Sequence, residues 1–204
     1  MIIVEPSYEI LRITDNPLEL IELAGRVCYK SEDRIDEESH KRFIRMIMKN
    51  HHESVIEHSL LTVRFIINRA IANELIRHRI ASYSQESTRY VSYNKDKFNN
   101  QISVIKPMDF GENHVAEFAW RRSCEEAERS YLQMLENGTQ PQIARDVLPL
   151  CLKTEIVMSA NFREWKYVFK MRCDKSAHPQ MRELMISLRE ECRNRIPIIF
   201  EEEE

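Results

Sequence analysis

The sequence predicts a single domain that mixes α-helices with β-strands, and three observations predict it. First, 204 residues, 43% of them apolar and 8% aromatic, suffice for one substantial core and are too few for two full domains. Second, two stretches alternate with the two-residue period of a half-buried strand. In one, Leu61, Val63, Phe65 and Ile67 alternate with Thr62, Arg64, Ile66 and Asn68; in the other, Leu150, Leu152, Thr154, Ile156 and Met158 alternate with Cys151, Lys153, Glu155, Val157 and Ser159. Third, residues 111–137 carry the longest helical pattern, with Val115, Phe118, Ala119, Ala127, Tyr131, Leu132, Met134 and Leu135 as its apolar stripe and Asn137-Gly138 as its stop.

The other elements follow in order. Residues 2–13 read as one or two strands broken at Pro6. Asn16-Pro17 has the form of a cap with proline at the first helical position, so a helix is expected over about 17–29, with Leu18, Ile21, Leu23 and Ala24 on its apolar stripe and Gly25 a weak point. A second helix should begin at Asp36, carry Glu37 and Glu38 in its first turn, place Phe43, Ile44, Ile47 and Met48 at helical spacing and end near Lys49. The strand over 60–68 should lead into a helix from about Arg69 that reaches Arg77 near its end. One short strand is expected at Ile102, Val104 and Ile105, a short helix over 139–147 ahead of Pro149, a helix over 161–172 and a last amphipathic helix over 176–196. The Glu201 to Glu204 tail reads as disordered and solvating.

Composition excludes several classes of function. A net charge of −3 and a pI near 6.2 argue against a general nucleic-acid binder, which would need a basic field. Five scattered cysteines without a Cys-x-x-Cys pair fit a reducing cytoplasm better than a disulfide scaffold or a zinc site. No apolar run approaches the roughly 18 residues of a membrane span, and the first residues lack a leader pattern, so a soluble intracellular protein is expected. With glycine only at positions 25, 111 and 138, no glycine-rich phosphate loop can be written; arginines and helix ends must hold any nucleotide.

Chemistry concentrates between Glu74 and Tyr90. There Arg77, His78 and Arg79 are followed by Ser82, Tyr83, Ser84, Gln85, Glu86, Ser87, Thr88 and Arg89. Guanidinium forks grip phosphate or carboxylate, while hydroxyl and amide groups give directional contacts to a base and ribose, so an anionic, hydroxyl-rich ligand is expected. On composition alone a salt-bridged surface turn also fits. If the segment is helical, Arg77 and Arg79 point nearly oppositely at about 100° per residue and serve different ligand groups. A second polar cluster, His51-His52-Glu53-Ser54-Val55-Ile56-Glu57-His58, invites a metal, but no partner motif supplies a fourth donor. On the helix expected over 161–172, Asn161, Trp165, Val168 and Arg172 share one face, and Arg163, Tyr167 and Lys170 share roughly the opposite one.

The pattern Arg-His-Arg-x-x-Ser-x-x-x-x-Ser-x-Arg-Tyr from Arg77 to Tyr90 resembles the signature of the flavin-dependent thymidylate synthases. Four further segments are similar to that family and occur in its order over roughly residues 20–196: His52-x-Ser54-x-x-Glu57-His58, Ala144-Arg145-x-Val-Leu-Pro-Leu, Asn161-x-Arg163 followed nine residues later by Arg172, and Ala177-His178-Pro179-Gln180-Met181-Arg182. The resemblance implies an α+β domain over 1–204 with a mostly antiparallel central sheet flanked by helices. It also implies a homotetramer with active sites shared between subunits. Such an enzyme uses flavin adenine dinucleotide (FAD), 5,10-methylenetetrahydrofolate and a reduced nicotinamide (NADPH) to convert deoxyuridylate (dUMP) into thymidylate.

Carried over by position, the resemblance implies FAD contacts at Ser54, Arg77, His78, Arg79, Gln85, Asn161, Phe162, Arg163 and Tyr167. It implies dUMP contacts at Glu74, Leu75, Ile76, Arg77, Gln85, Glu86, Ser87, Thr88, Arg89, Arg145 and Arg172, with Arg89 and Arg145 on the phosphate. Arg172 is the expected catalytic residue, a cation beside the uracil N3/O2 edge that favours loss of the N3 proton. His52 is expected near the site, with Glu57 and His58 structural, and no metal is implied. Where many members have Asn-Glu this chain has Ser84-Gln85; Gln85 keeps hydrogen-bonding capacity without the charge, and Glu86 replaces it only if the loop turns differently. Two other classes fit the arginines alone: a different flavoenzyme or nucleotide hydrolase, and a nucleotide- or flavin-binding sensor module without methyl transfer.

Overall fold

The computed structural model describes residues 1–94, 98–108 and 110–201. Most helices and strands occur where the periodicities put them. The opening stretch is two strands, β1 (Ile2–Val4) and β2 (Ser7–Ile13), parted at Pro6. Helix α1 (Pro17–Tyr29) starts on the proline, and α2 (Ser39–Lys49) follows after a single 3-10 turn at Glu32–Arg34. Strand β3 (Leu60–Asn68) runs directly into α3 (Arg69–Leu75), where the Asn68 side chain accepts a hydrogen bond from Ile71 N–H and so caps the helix. Then come β4 (Ala81–Gln85), β5 (Ser103–Ile105), α4 (His114–Glu136) and α5 (Pro141–Ala144). The chain continues through β6 (Lys153–Asn161), α6 (Phe162–Arg172), α7 (Pro179–Arg195) and α8 (Pro197–Phe200).

Four strands form a sheet in the order β2-β3-β6-β4. Thr14 N–H donates to Leu60 O while Arg64 bonds Glu9, so residue numbers rise on β2 as they fall on β3. Thr62 meets Ser159 while Arg69 N–H reaches Leu152 O, so β3 and β6 are antiparallel as well. Strands β1 and β5 pair separately and in parallel, with Ile3 opposite Val104.

The chain divides into two units. The first comprises Met1–Ser7, Phe65–Arg77 and Ser84–Ile156; the second comprises Tyr8–Arg64, His78–Tyr83 and Val157–Glu204. The core of the first is built from Tyr93, Ile102, Val104, Cys124, Tyr131 and Leu152. Tyr93 and Tyr131 stack edge to face with ring centroids 5.8 Å apart. In the second, Phe43, Ile44 and Ile47 of α2 and Trp165, Val168 and Phe169 of α6 are buried. A buried polar knot ties α1 to α2, since the Glu22 carboxylate accepts from Arg26 at 2.8 Å and from Ser39 Oγ at 2.7 Å.

Four expectations need correction. The helix after β3 stops at Leu75, so Arg77 and Arg79 lie beyond it and helical rotation does not separate them. The Ala81-Ser82-Tyr83-Ser84-Gln85 run is instead an alternating strand, β4. Leu23, assigned to the core stripe of α1, is 47% exposed; with Leu20 and Val27 it forms an outward apolar stripe, and Ile21, Glu22 and Gly25 face inward. Val115 and Phe118 of α4 are exposed because the buried face is the one carrying Cys124 and Tyr131, and Phe118 lies six residues, or about 240° of helical rotation, from Cys124. The acidic tail beyond Glu201 falls outside the described residues.

Gly25 is required by packing rather than by a turn. A Cβ built there would stand 2.5 Å from the Phe43 ring. Exposed helical Gly→Ala changes gain about 1 kcal/mol, but here overpacking should reverse the sign. Gly25→Ala is expected to destabilise the protein by about 1–3 kcal/mol, read as a lowered urea midpoint at unchanged slope.

Candidate active site

In the first unit, the signature's second half wraps around the end of β4. Glu74 is half-buried, Leu75 is in the core, and Ile76 and Arg77 are exposed just past α3. Gln85 Nε2–H donates to Thr154 Oγ1 at 3.3 Å, which directs the amide onto β6. The Glu86 carboxylate also turns inward: Lys153 Nζ donates to it at 3.2 Å, Tyr93 O–H at 3.3 Å and Glu155 N–H at 3.3 Å. Glu86 is therefore a satisfied strut between β4 and β6, and its charge is balanced by Lys153. Burial, with the Glu86 charge next in size, pushes the Tyr93 phenol well above its ordinary range.

Ser87 Oγ accepts from Arg89 N–H at 3.3 Å, a turn-forming bond, and Thr88 is buried beside it. Arg89 Nε–H then donates to Gln142 Oε1 at 3.0 Å. Because Gln142 lies on α5 and Arg145 opens the next turn, this bond ties Arg89 to the segment that carries Arg145. Both guanidinium groups are exposed, so both can meet an anion from solvent.

In the second unit, α6 organises the site. Asn161 caps it, with Oδ1 accepting from Glu164 N–H at 2.8 Å, and Phe162 is fully buried against Phe200. Trp165 and Val168 are likewise buried, so the face expected to carry Asn161, Trp165, Val168 and Arg172 is the core face; Arg163, Tyr167 and Lys170 are on the exposed side. Arg163 Nη1–H donates to Glu57 at 2.6 Å, which gives Glu57 a holding role. Ser54, exposed, lies on the same 3-10 turn, Glu53–His58. His52 Nδ1 is 3.3 Å from the Tyr29 hydroxyl. Among the described residues no three His, Cys, Asp or Glu side chains gather as a metal site would require.

The end of the core face is polar. His78 is 5% exposed, and Arg172 Nε–H donates to its Nε2 at 2.9 Å. A guanidinium can only donate, so Nε2 accepts and the neutral ring carries its proton on Nδ1. That nitrogen is 3.4 Å from Glu164 Oε1. Burial, reinforced by the Arg172 charge, pushes His78 down to about 4, so the imidazole is neutral at physiological pH. Burial raises the Glu164 carboxyl and pushes the Tyr83 phenol up to about 12. Tyr83 O–H donates to the His78 carbonyl at 2.8 Å, and the Tyr167 ring stands edge-on to the imidazole at 5.8 Å. Arg79, the next residue but one to Tyr83's own strand, is exposed.

A cavity of about 620 Å³ opens on α6, with Arg163, Tyr167, Lys170 and Arg193 on its walls and Phe169 and Phe200 at its apolar side. Cations beside aromatic and apolar surface suit a ligand that joins a planar ring to a pyrophosphate.

Residues 9–198 match the family described as thymidylate synthase complementing protein. The chain is also 32% identical over 198 residues to the flavin-dependent thymidylate synthase of Geobacter sulfurreducens, covering 94% of this chain and 84% of that one. This chain belongs to the flavin-dependent thymidylate synthase family. The enzymes of that name from Pyrococcus abyssi and Pyrococcus furiosus are each 30% identical to it over 193 residues, covering 91% of this chain and 78% of theirs. Membership in the flavin-dependent thymidylate synthase family makes the chain an enzyme, with small molecules as its substrates. Among the described residues no helix is long and apolar enough to cross a membrane.

Proposed function

We propose that residues 1–204 act as one cytoplasmic thymidylate synthase domain, which converts dUMP to thymidylate with 5,10-methylenetetrahydrofolate as carbon donor and NADPH as reductant. In this reading dUMP is held through Glu74, Leu75, Ile76, Arg77, Gln85, Ser87, Thr88, Arg89 and Arg145, with Glu86 as the strut beside Gln85. FAD is held through Ser54, Arg77, His78, Arg79, Gln85, Asn161, Phe162, Arg163 and Tyr167. When bound, FAD supplies the hydride.

The protein's task is electrostatic. Arg145 and Arg89, the latter tied by Gln142 to the segment that carries Arg145, neutralise the nucleotide phosphate. Arg172 stands at the uracil N3/O2 edge, where its charge favours loss of the N3 proton and stabilises the negative charge that makes C5 nucleophilic. The observation that carries the reading is the partner of Arg172: its Nε is bonded to a neutral imidazole, which orients the guanidinium without cancelling its charge. Ser87, with its oxygen already accepting a turn N–H, binds nucleotide rather than attacking it. The outward stripes Leu20, Leu23 and Val27 on α1, and Val115 and Phe118 on α4, supply apolar surface for a homotetramer.

The visible spectrum of the purified protein tests this reading. Oxidised-flavin bands that bleach on anaerobic addition of NADPH and shift on addition of dUMP are expected. A colourless protein that cannot be reconstituted with FAD overturns it in favour of a nucleotide-binding module.

A further inference from the structure

At the end of the core face of α6 three polar side chains stand in series, Glu164, His78 and Arg172, and Glu164 has no role in the chemistry described above. We propose that Glu164 and His78 form a positioning relay that sets the orientation of the Arg172 guanidinium. The direction of the bond between Arg172 and His78 decides the tautomer. Arg172 Nε–H donates to His78 Nε2 at 2.9 Å, which requires a lone pair on Nε2. A neutral imidazole has one N–H, and the bond to Arg172 assigns it to Nδ1. Glu164 Oε1 stands 3.4 Å from that nitrogen, and a carboxylate there favours a proton on Nδ1, the tautomer that Arg172 needs.

Every member of the relay is itself fixed. Glu164 sits in the first turn of α6, and its N–H is held by the Asn161 cap. The imidazole is anchored through its backbone carbonyl by Tyr83 and is bordered by the Tyr167 ring. His78 and Glu164 are 5% and 8% exposed, so water competes poorly for these bonds. Since Nε takes the bond to His78, the guanidinium plane is set from the Nε side, and the planar fork can present its Nη edge in one orientation. Glu164 touches no reacting atom in this scheme; it acts through His78 and Arg172. The catalytic consequence rests on the thymidylate synthase reading above, whereas the tautomer does not.

The test therefore has two arms. In the first, nitrogen-15 NMR of the histidine rings in the flavin-bound protein is expected to show His78 as the neutral Nδ1–H tautomer at neutral pH. Glu164→Ala should shift it toward Nε2–H, and Glu164→Gln, whose amide oxygen still accepts, should restore it. A wild-type His78 in the Nε2–H form, or unchanged by Glu164→Ala, overturns the relay whether or not the protein turns over. In the second arm, Glu164→Ala is expected to lower kcat by about ten- to a hundredfold with flavin absorbance retained. Because a misplaced Arg172 assists N3 deprotonation less well, the rising limb of the kcat profile should move to higher pH. The groups facing the imidazole are Glu164, Arg172, Tyr83 and Tyr167, so His78→Phe should give the same shift, and the double variant should be no worse than either single one. Equal losses in flavin content and activity, with an unmoved pH profile, would reduce Glu164 to a structural role. Correct NMR with no thymidylate formed by the wild type would sink the synthase reading and leave the relay standing.

Discussion

Replacing Arg172 by alanine is expected to lower kcat by about 10²–10³-fold while FAD remains bound. The magnitude is that of removing one preorganised donor from developing negative charge. Loss of the charge withdraws stabilisation that matters most once the uracil ring is anionic, so kcat should fall more than KM for dUMP rises. Of the expected FAD contacts, Arg163 and Tyr167 lie on the exposed side of α6, away from the bond between Arg172 and His78. Arg172→Lys should recover little of the lost rate. A lysine keeps the charge, but its ammonium is a single point, and it replaces both the Nε–H that bonds His78 and the planar fork that bond orients. Single-turnover rates of thymidylate formation beside flavin absorbance provide the measurement. Loss of flavin in step with activity would mean that Arg172 holds the cofactor and that the proposed division of α6 into two faces is mistaken.

Much of the fold was legible because burial repeats with a period. Strand β3 lies where its alternation put it, Leu60–Asn68, and α1 spans Pro17–Tyr29 as its cap and proline indicate. What failed were assignments that needed a partner to be known. Leu23 and Phe118 are apolar at plausible spacing, yet they face outward, because apolarity says that a residue seeks cover and not which surface supplies it. Strand β4 was hidden by polarity. Ser82, Tyr83, Ser84 and Gln85 alternate in exposure, but none is aliphatic, and only the placement of Tyr83 between two serines hinted at a strand. At the site, the arginines were legible from the sequence pattern, whereas their wiring was not. Glu164 lies 86 residues, and Arg172 94, past His78 in the chain, so no motif could announce that the three meet. Glu86 is the converse case. Its charge beside Gln85 invited a chemical role, and its bonds to Lys153 and Tyr93 show a strut.

The largest loss of stability is expected from Trp165→Ala. Trp165 is fully buried on α6, and its indole N–H donates to Leu61 O at 3.0 Å. Truncation removes the ring from a core shared with Phe169, whose ring centroid is 5.5 Å away, at a cost of about 3–5 kcal/mol for a large aromatic residue. It also leaves the Leu61 carbonyl without its donor, adding roughly 1–3 kcal/mol if no water enters. For a chain of this size each kcal/mol lowers Tm by about 2–4 °C, so a drop on the order of 10 °C or more should be visible by calorimetry. Trp165→Phe separates the two contributions, since it keeps most of the ring and loses only the N–H; its cost should be no more than about half that of alanine. Helix α6 also carries Arg163, Tyr167 and Arg172, so a loosened Trp165 should depress activity at temperatures where the protein is still folded. An alanine variant that melts with the wild type would show that α6 is held by its caps and ion pairs rather than by the core beneath it.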